Sequence, residues 1–445
     1  MYQFSQYMMN IRFRSMVLLL AMQCSCLALD SFGQACISAT HNKTAVSFIS
    51  VDEAWQMVRT NSLPLKIKEK TVEAALGDLQ QERLFDNPEI SITHNVNNPV
   101  THRYFETNGD GETDIQLSQR IYIGGQRGER IRKTEAEVRR LEYERDELSR
   151  QLRRDLFSTM VVLSSMRRKA EIIEKEICSV EKILKAYKEQ SAKGNVAPVE
   201  VVRIQSQLMQ LSQEKVSLDN EISMQEKQLR LMIGTDRDRN DTCNVLCGIL
   251  IPKIDYEASV AQLSKVNKND IVARLSERAD ILSGKQDIVS SEHDVKLQKA
   301  NALPEVSLTG EWDKNGNIGH NFFSVGLSFT LPVFNRNQGG MRAAKASLEA
   351  KRIQYELNYR QAQLEIENGW DRLINNKKMA QEISRHLEND NEQMMSQMET
   401  QYMKRNVSLL ELIDYYQVYK DNNFLYVDSQ KDVLLSMIEL DMNIK

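Results

Sequence analysis

The same segment occurs twice in this chain, and that duplication constrains the fold more than any other feature. Asn87-Pro88-Glu89-Ile90-Ser91-Ile92 returns as Leu303-Pro304-Glu305-Val306-Ser307-Leu308. Ile115, Leu117, Ile121 and Ile123 return as Val325, Leu327, Leu331 and Val333, at a spacing of 210 residues. Lys193-Gly194-Asn195-Val196 and Glu200 then line up with Lys404-Arg405-Asn406-Val407 and Glu411. Three matches in one order describe two copies of one structural unit. A period this long is too large for a small-repeat solenoid.

Length alone would allow two or three globular domains among 445 residues. Only 7 prolines and 18 glycines interrupt the chain, and long Glu/Lys/Arg/Gln/Leu-rich stretches dominate, which points to long helices and coiled coils. The net charge of -4 points to neither nucleic acid nor an anionic surface as partner. The N-terminal region reads as an export signal. Arg12 and Arg14 precede an apolar run from Met16 to Ala28, with cleavage expected near Ala28 to Ala35 and residues 1–35 assigned to signal and processing. Cys24, Cys26 and Cys36 are candidates for a lipid anchor. In an exported chain Cys243 and Cys247, in a polar linker over 236–248, favour a local disulfide over a metal site. Cys178 is expected to pack on a helix.

Each copy reads as helix, β-hairpin, very long helix, tight turn, helix. The first copy covers 50–235, the linker 236–270, and the second copy 271–445. In copy one a helix over Val51 to Leu84, capped by Asp52 and perturbed at Leu63-Pro64, ends at Pro88. A hairpin over 88–123 follows, its strands separated by a turn-rich loop from Asn97 to Gly111. The second hairpin covers 304–333, with a loop through Asn315-Gly316-Asn317. Phe323, Val325, Leu327, Phe329, Leu331 and Val333 alternate with small or polar residues, giving one apolar face. Strands of about 9–11 residues match a tilted bilayer crossing.

Gly124-Gly125 opens a helix expected to reach Ser191, and Gly339-Gly340 opens another expected to reach Met403. At about 1.5 Å per residue each extends roughly 100 Å. Met166, Ala170, Ile173, Ile177, Val180, Leu184 and Tyr187 keep a three-and-four spacing. Beyond the turn it continues through Val201, Ile204, Leu208, Leu211, Lys215, Leu218, Ile222, Gln225, Leu229 and Met232, which predicts an antiparallel coiled coil. In the turn itself Gly194 supplies left-handed geometry and Pro198 restarts the helix.

Four strands cannot close a barrel, and a sheet in lipid cannot keep open edges. The chain must therefore assemble with copies of itself. Two chains give eight strands and a filled interior; three give twelve strands and an open lumen. Either way a mainly α fold carries a membrane β-sheet, with helices continuing as a periplasmic wall.

The duplicated unit, the Pro-Glu-x-Ser strand entry, Leu331-Pro332-Val333-Phe334-Asn335-Arg336-Asn337 and the Ala343-Ala344 helix start resemble the TolC-type outer membrane efflux proteins. The resemblance covers about residues 50–445. It implies a homotrimer with a shared twelve-stranded β-barrel and a periplasmic α-barrel. The trimer would be an exit duct in the outer membrane, meeting its lipid. A periplasmic adaptor and an inner-membrane pump would be its partners in multidrug or metal efflux, or in type I secretion. It implies no cofactor and no metal. The family's acidic constriction maps onto Glu411 and Asp414, three apart and so on one helix face. Glu200 and Arg203 are the copy-one counterparts, and Arg203 is expected to pair with Asp414 or Glu411 in the closed state. The family's arginine in this turn is replaced by Val407, with Lys404 and Arg405 close by. The hairpin tips, Gly194, Asn195, Val196, Asn406 and Val407, map onto the adaptor-docking surface.

The chain carries no phosphate-binding loop, His-Glu-x-x-His or Gly-x-Ser-x-Gly, which argues against an enzyme. The competing reading is a periplasmic coiled-coil adaptor or scaffold without a barrel. An adaptor would show one helical hairpin, and this chain shows two.

Overall fold

The computed structural model describes residues 46–107, 111–234, 249–253, 256, 267–316, 319–387, 397–402, 404 and 406–441. The export signal, its cysteines, the expected Cys243–Cys247 disulfide and Arg405 lie outside the described residues.

Copy one begins with β1 (Val46–Ser50), α1 (Val51–Asn61) and α2 (Leu63–Glu82). The single helix expected from Val51 to Leu84 is therefore two, because Pro64 can stand only in a first helical turn and forces a new start. The cap is Ser50, not Asp52. Its hydroxyl accepts from the Glu53 N–H while Glu53 reaches back to the Ser50 N–H, a reciprocal capping box. Then come β2 (Glu89–His94), β3 (Thr113–Ile121), α3 (Gln126–Ala192, 67 residues) and α4 (Pro198–Ile233). The linker holds β4 (Ile249–Lys253) and the start of α5 (Lys268–Ala273), and copy two continues with α6 (Ala279–Ala300), β5 (Val306–Gly316), β6 (Gly319–Phe329), α7 (Gln338–Leu387), a helical stretch over 397–402, and α8 (Leu409–Asp441). The polar linker conceals one element the sequence pattern did not show: β4 pairs in parallel with β1. β6 also starts earlier than expected and stops at Phe329, leaving Leu331 and Val333 beyond the strand.

Four strands form one antiparallel sheet in the order β2-β3-β5-β6; β3, β5 and β6 have the expected length, whereas β2, at 6 residues, is shorter. The central pairing, β3 with β5, joins the copies: Ile115 faces Trp312 and Ile121 faces Val306. Partners across an antiparallel ladder share a face. Ile90, Ile92, Ile115, Leu117, Leu308, Val325 and Leu327 thus lie on one side, and all are exposed. Ser91, Gln116, Ser118, Thr309, Ser324 and Ser328 lie on the other. At one end Gly125, at φ 78°, turns β3 into α3, a left-handed conformation that favours glycine.

The helices pack by the predicted seam. Leu156, Met160, Leu163, Ile222, Leu229 and Ile233 form one buried cluster with Ala54 and Val58. Ile233 takes the buried place expected for Met232. Copy two repeats the arrangement with Ile366, Leu373, Ala380, Val433 and Leu440. A third cluster, near the turns, combines both copies: Val180, Leu184, Ile204 and Leu211 with Tyr402, Leu409, Leu412 and Tyr416. Cys178 lies on α3 as expected but is exposed and free rather than packed, since the seam uses Ile177 and Val180 on either side of it. Among the described residues no helix is long and apolar enough to cross a membrane.

Candidate periplasmic gate and hairpin tips

Both tips are built by the same small device. After α3, the Asn195 N–H donates to the Gln190 carbonyl at 3.0 Å and the Asn195 amide donates to Gln190 Oε1 at 2.9 Å. In copy two the Asn406 N–H donates to the Gln401 carbonyl at 3.0 Å and its amide to Gln401 Oε1 at 2.8 Å. Gly194 takes the expected left-handed conformation at φ 77°, with open space where a side chain would stand. Pro198 occupies the first turn of α4, where its missing N–H costs nothing. Gly194, Asn195 and Asn406 are exposed; Val196 and Val407 are half-buried. Sequence reading named the asparagines but missed Gln190 and Gln401, although both stand five residues before their asparagine.

Glu411 has a local task. Its carboxylate accepts from the Ser408 N–H and hydroxyl, both at 2.8 Å, and the Ser408 hydroxyl accepts from the Glu411 N–H at 3.3 Å. This capping box starts α8, repeating the Ser50–Glu53 box of copy one. The backbone and hydroxyl bonds from Ser408 hold the Glu411 carboxyl below its ordinary range. Asp414 is exposed one turn later, Arg203 is exposed on α4, and Glu200 is half-buried. The expected bridge from Arg203 to Glu411 or Asp414 is not formed within this chain among the described residues, and Glu411 is committed to Ser408 instead.

Other residues join the two hairpins. The Tyr187 ring stacks on Tyr402 with centroids 5.9 Å apart. Within the second hairpin, the buried Tyr416 hydroxyl donates to Glu399 Oε1 at 2.9 Å. Burial pushes the hydroxyls of Tyr402 and Tyr416 well above the ordinary phenol range. Lys420 of α8 pairs with Glu214 of α4 at 2.6 Å, and Lys169 of α3 with Asp428 of α8 at 2.7 Å. The sequence signal for these contacts was the Leu409, Leu412, Tyr416 spacing at the start of α8, a seam that faces the first hairpin. At the far end of the sheet Glu112, Asp114 and Asp313 bring carboxylate oxygens within 4.8 Å of one another, an acidic cluster the sequence pattern did not show.

This architecture has known counterparts. A family model described as outer membrane efflux protein matches residues 54–235. Those residues belong to the outer membrane efflux protein family. The TolC-type resemblance read in the sequence is thereby borne out, and with it the coarse activity, an outer membrane efflux channel, located in the outer membrane and reaching into the periplasm. Solved structures share the fold of this chain over both copies. A membrane protein from Pseudomonas aeruginosa is 15% identical with a TM-score of 0.71, covering 89% of this chain and 93% of its own. The Campylobacter jejuni CmeC outer membrane channel is 15% identical with a TM-score of 0.69, covering 88% and 85%. The Vibrio cholerae outer membrane protein VceC is 17% identical with a TM-score of 0.67, covering 88% and 94%. No curated protein sequence matches the chain.

Proposed function

We propose that three copies of this chain form the exit duct of a tripartite efflux or type I secretion system, conducting cargo passively from an inner-membrane pump across the periplasm and outer membrane. One observation carries the reading. The four-stranded sheet exposes a largely apolar face, with Val325 82% and Phe323 76% exposed, while its opposite face is mostly small and polar. A sheet of that kind suits lipid outside and water inside, and twelve strands from three chains close what four cannot. α3 and α4 of copy one, and α7 and α8 of copy two, would then line the periplasmic duct.

Glu411 and Asp414 from three chains would ring the narrow end of that duct and favour cations there. Glu200 and Arg203 would stand beside them, with Arg203 bridging to an acid of a neighbouring chain. Gly194, Asn195, Val196, Asn406 and Val407 would meet the adaptor, and the matched Gln–Asn clamps would give it two similar tips per chain. The experiment is fractionation followed by native mass measurement in detergent. A trimer in the outer membrane fraction, conducting ions in a planar bilayer, is the expected result. A monomer in the soluble periplasmic fraction would overturn the duct and favour a scaffold.

A further inference from the structure

The channel reading leaves one buried group without a role. Glu176 on α3 is 1% exposed, and neither of its carboxyl oxygens has a hydrogen-bond partner. A charge held in this way is unfavourable unless it is neutralised. The site lies where α3 meets α4 and α8, just above the cluster that joins the two hairpins. From α8 it is faced by Lys420, Asp421 and the Tyr416 phenol, and from α4 by Glu214. The neighbouring α3–α4 pair, Glu174 with Lys215 at 3.3 Å, is closed on itself. Lys420, itself 5% exposed, is bonded to Glu214 at 2.6 Å. A single buried ammonium thus stands among three carboxylates and serves one of them.

We propose that Glu176 is a proton-operated catch between the hairpins: protonated, it leaves Lys420 to tie α8 to α4 through Glu214, and ionised, it competes for Lys420 and loosens that tie. Atoms balance simply, since one proton leaves Glu176 to solvent and Lys420 exchanges one carboxylate for another. The energetics agree with the geometry. Burial is the largest influence and pushes the Glu176 carboxyl up to about 7, with Lys420 opposing and Glu214 and Asp421 adding to the rise. A carboxyl raised in this way favours the packed arrangement at low pH, and the advantage is lost as pH rises through about 7. The catch also has leverage. Asp414 and Lys420 lie on the same helix about 9 Å apart along its axis, so loosening at Lys420 reaches the acids of the proposed gate.

Two measurements on the purified full-length chain test this. Infrared difference spectra should show a protonated-carboxyl band that disappears as pH rises through about 7 and is absent in Glu176→Gln. That readout does not depend on the channel reading. In planar bilayers the wild type should change its mean open fraction across the same range. Glu176→Gln should hold the low-pH level at every pH, and Lys420→Met should abolish the pH step while leaving the infrared band. A band that persists unchanged in Glu176→Gln, or disappears near the ordinary carboxyl range, overturns the catch. So does a bilayer pH step that survives Glu176→Gln in a correctly assembled protein. A chain that shows the infrared titration yet conducts no ions would count against the duct alone.

Discussion

Tyr187 of α3 stacks on Tyr402, just before α8, with ring planes 8° from parallel, and this pair closes the tip-side seam between the two hairpins. Offset aromatic pairs contribute about 0.5–1.5 kcal/mol beyond the area they bury. Tyr402→Leu keeps much of the apolar volume and removes the stack. It should weaken the joint between hairpins by about that amount and raise the basal conductance of the closed protein in planar bilayers. Tyr402→Phe should leave both near wild type. Equal conductance in wild type and Tyr402→Leu would mean that the stack does not hold the closed arrangement.

The sheet predicts opposite outcomes for adjacent residues. Val325 lies on the exposed apolar face, and Ser324 on the other face donates to Glu311 at 3.3 Å. An arginine on the lipid face near the bilayer midplane costs about 2–4 kcal/mol. Val325→Arg should therefore reduce the assembled fraction recovered from the outer membrane, while Ser324→Arg should insert normally and alter ion selectivity. Equal recovery of the two variants would contradict the facing assigned to β6.

The two proposed gate acids should not behave alike. Glu411 closes the capping box with Ser408, whereas Asp414 takes no part in it. Glu411→Ala should fray the start of α8, and Ser408→Ala should do the same at a cost of about 1 kcal/mol. Asp414→Ala should change cation conductance without affecting the helix start. The pH dependence follows from the sign of the Glu411 shift. Its carboxyl is held low in the folded chain, so its contribution is present above the ordinary value of 4.5 and is lost as pH falls through the lowered one. Hydrogen exchange of the amides at 408–412, followed as pH falls from neutral and compared with Glu411→Gln, checks this; protection that falls no further in wild type than in Glu411→Gln would remove Glu411 from the cap.

Much of this arrangement was legible because it is periodic. The three-and-four spacing from Met166 to Leu229 marked the α3–α4 seam, the alternation through Phe323 to Phe329 marked the exposed apolar face, and Gly194 with Pro198 marked the turn. What the sequence hid was either non-local or short. The β1–β4 pair joins two five-residue strands, one at the start of the first copy and one in the linker, too brief for either to announce itself. The link between hairpins depends on which face of α8 meets α3, and a seam repeated on both hairpins does not state which partner each face takes. Glu411 was read through its counterparts as a lumenal acid, while Ser408, three residues earlier, was the local signal for its capping role.

The duplication itself can be tested through its two cores. Leu163 is fully buried in the cluster with Leu156 and Ile222, and Leu373 is 5% exposed in the matching cluster with Ile366 and Val433. The two leucines are equivalent positions of the repeated unit, yet no cluster contains both. Truncating a buried leucine to alanine costs about 2–5 kcal/mol, depending on how far the site collapses. Residues in separate clusters with no shared partner contribute additively to within about 0.5 kcal/mol. Leu163→Ala and Leu373→Ala should therefore each lower the urea midpoint of the helical signal by similar amounts, and the double variant should lower it by their sum. A double variant no worse than either single one would mean that the two copies unfold through one shared core rather than two.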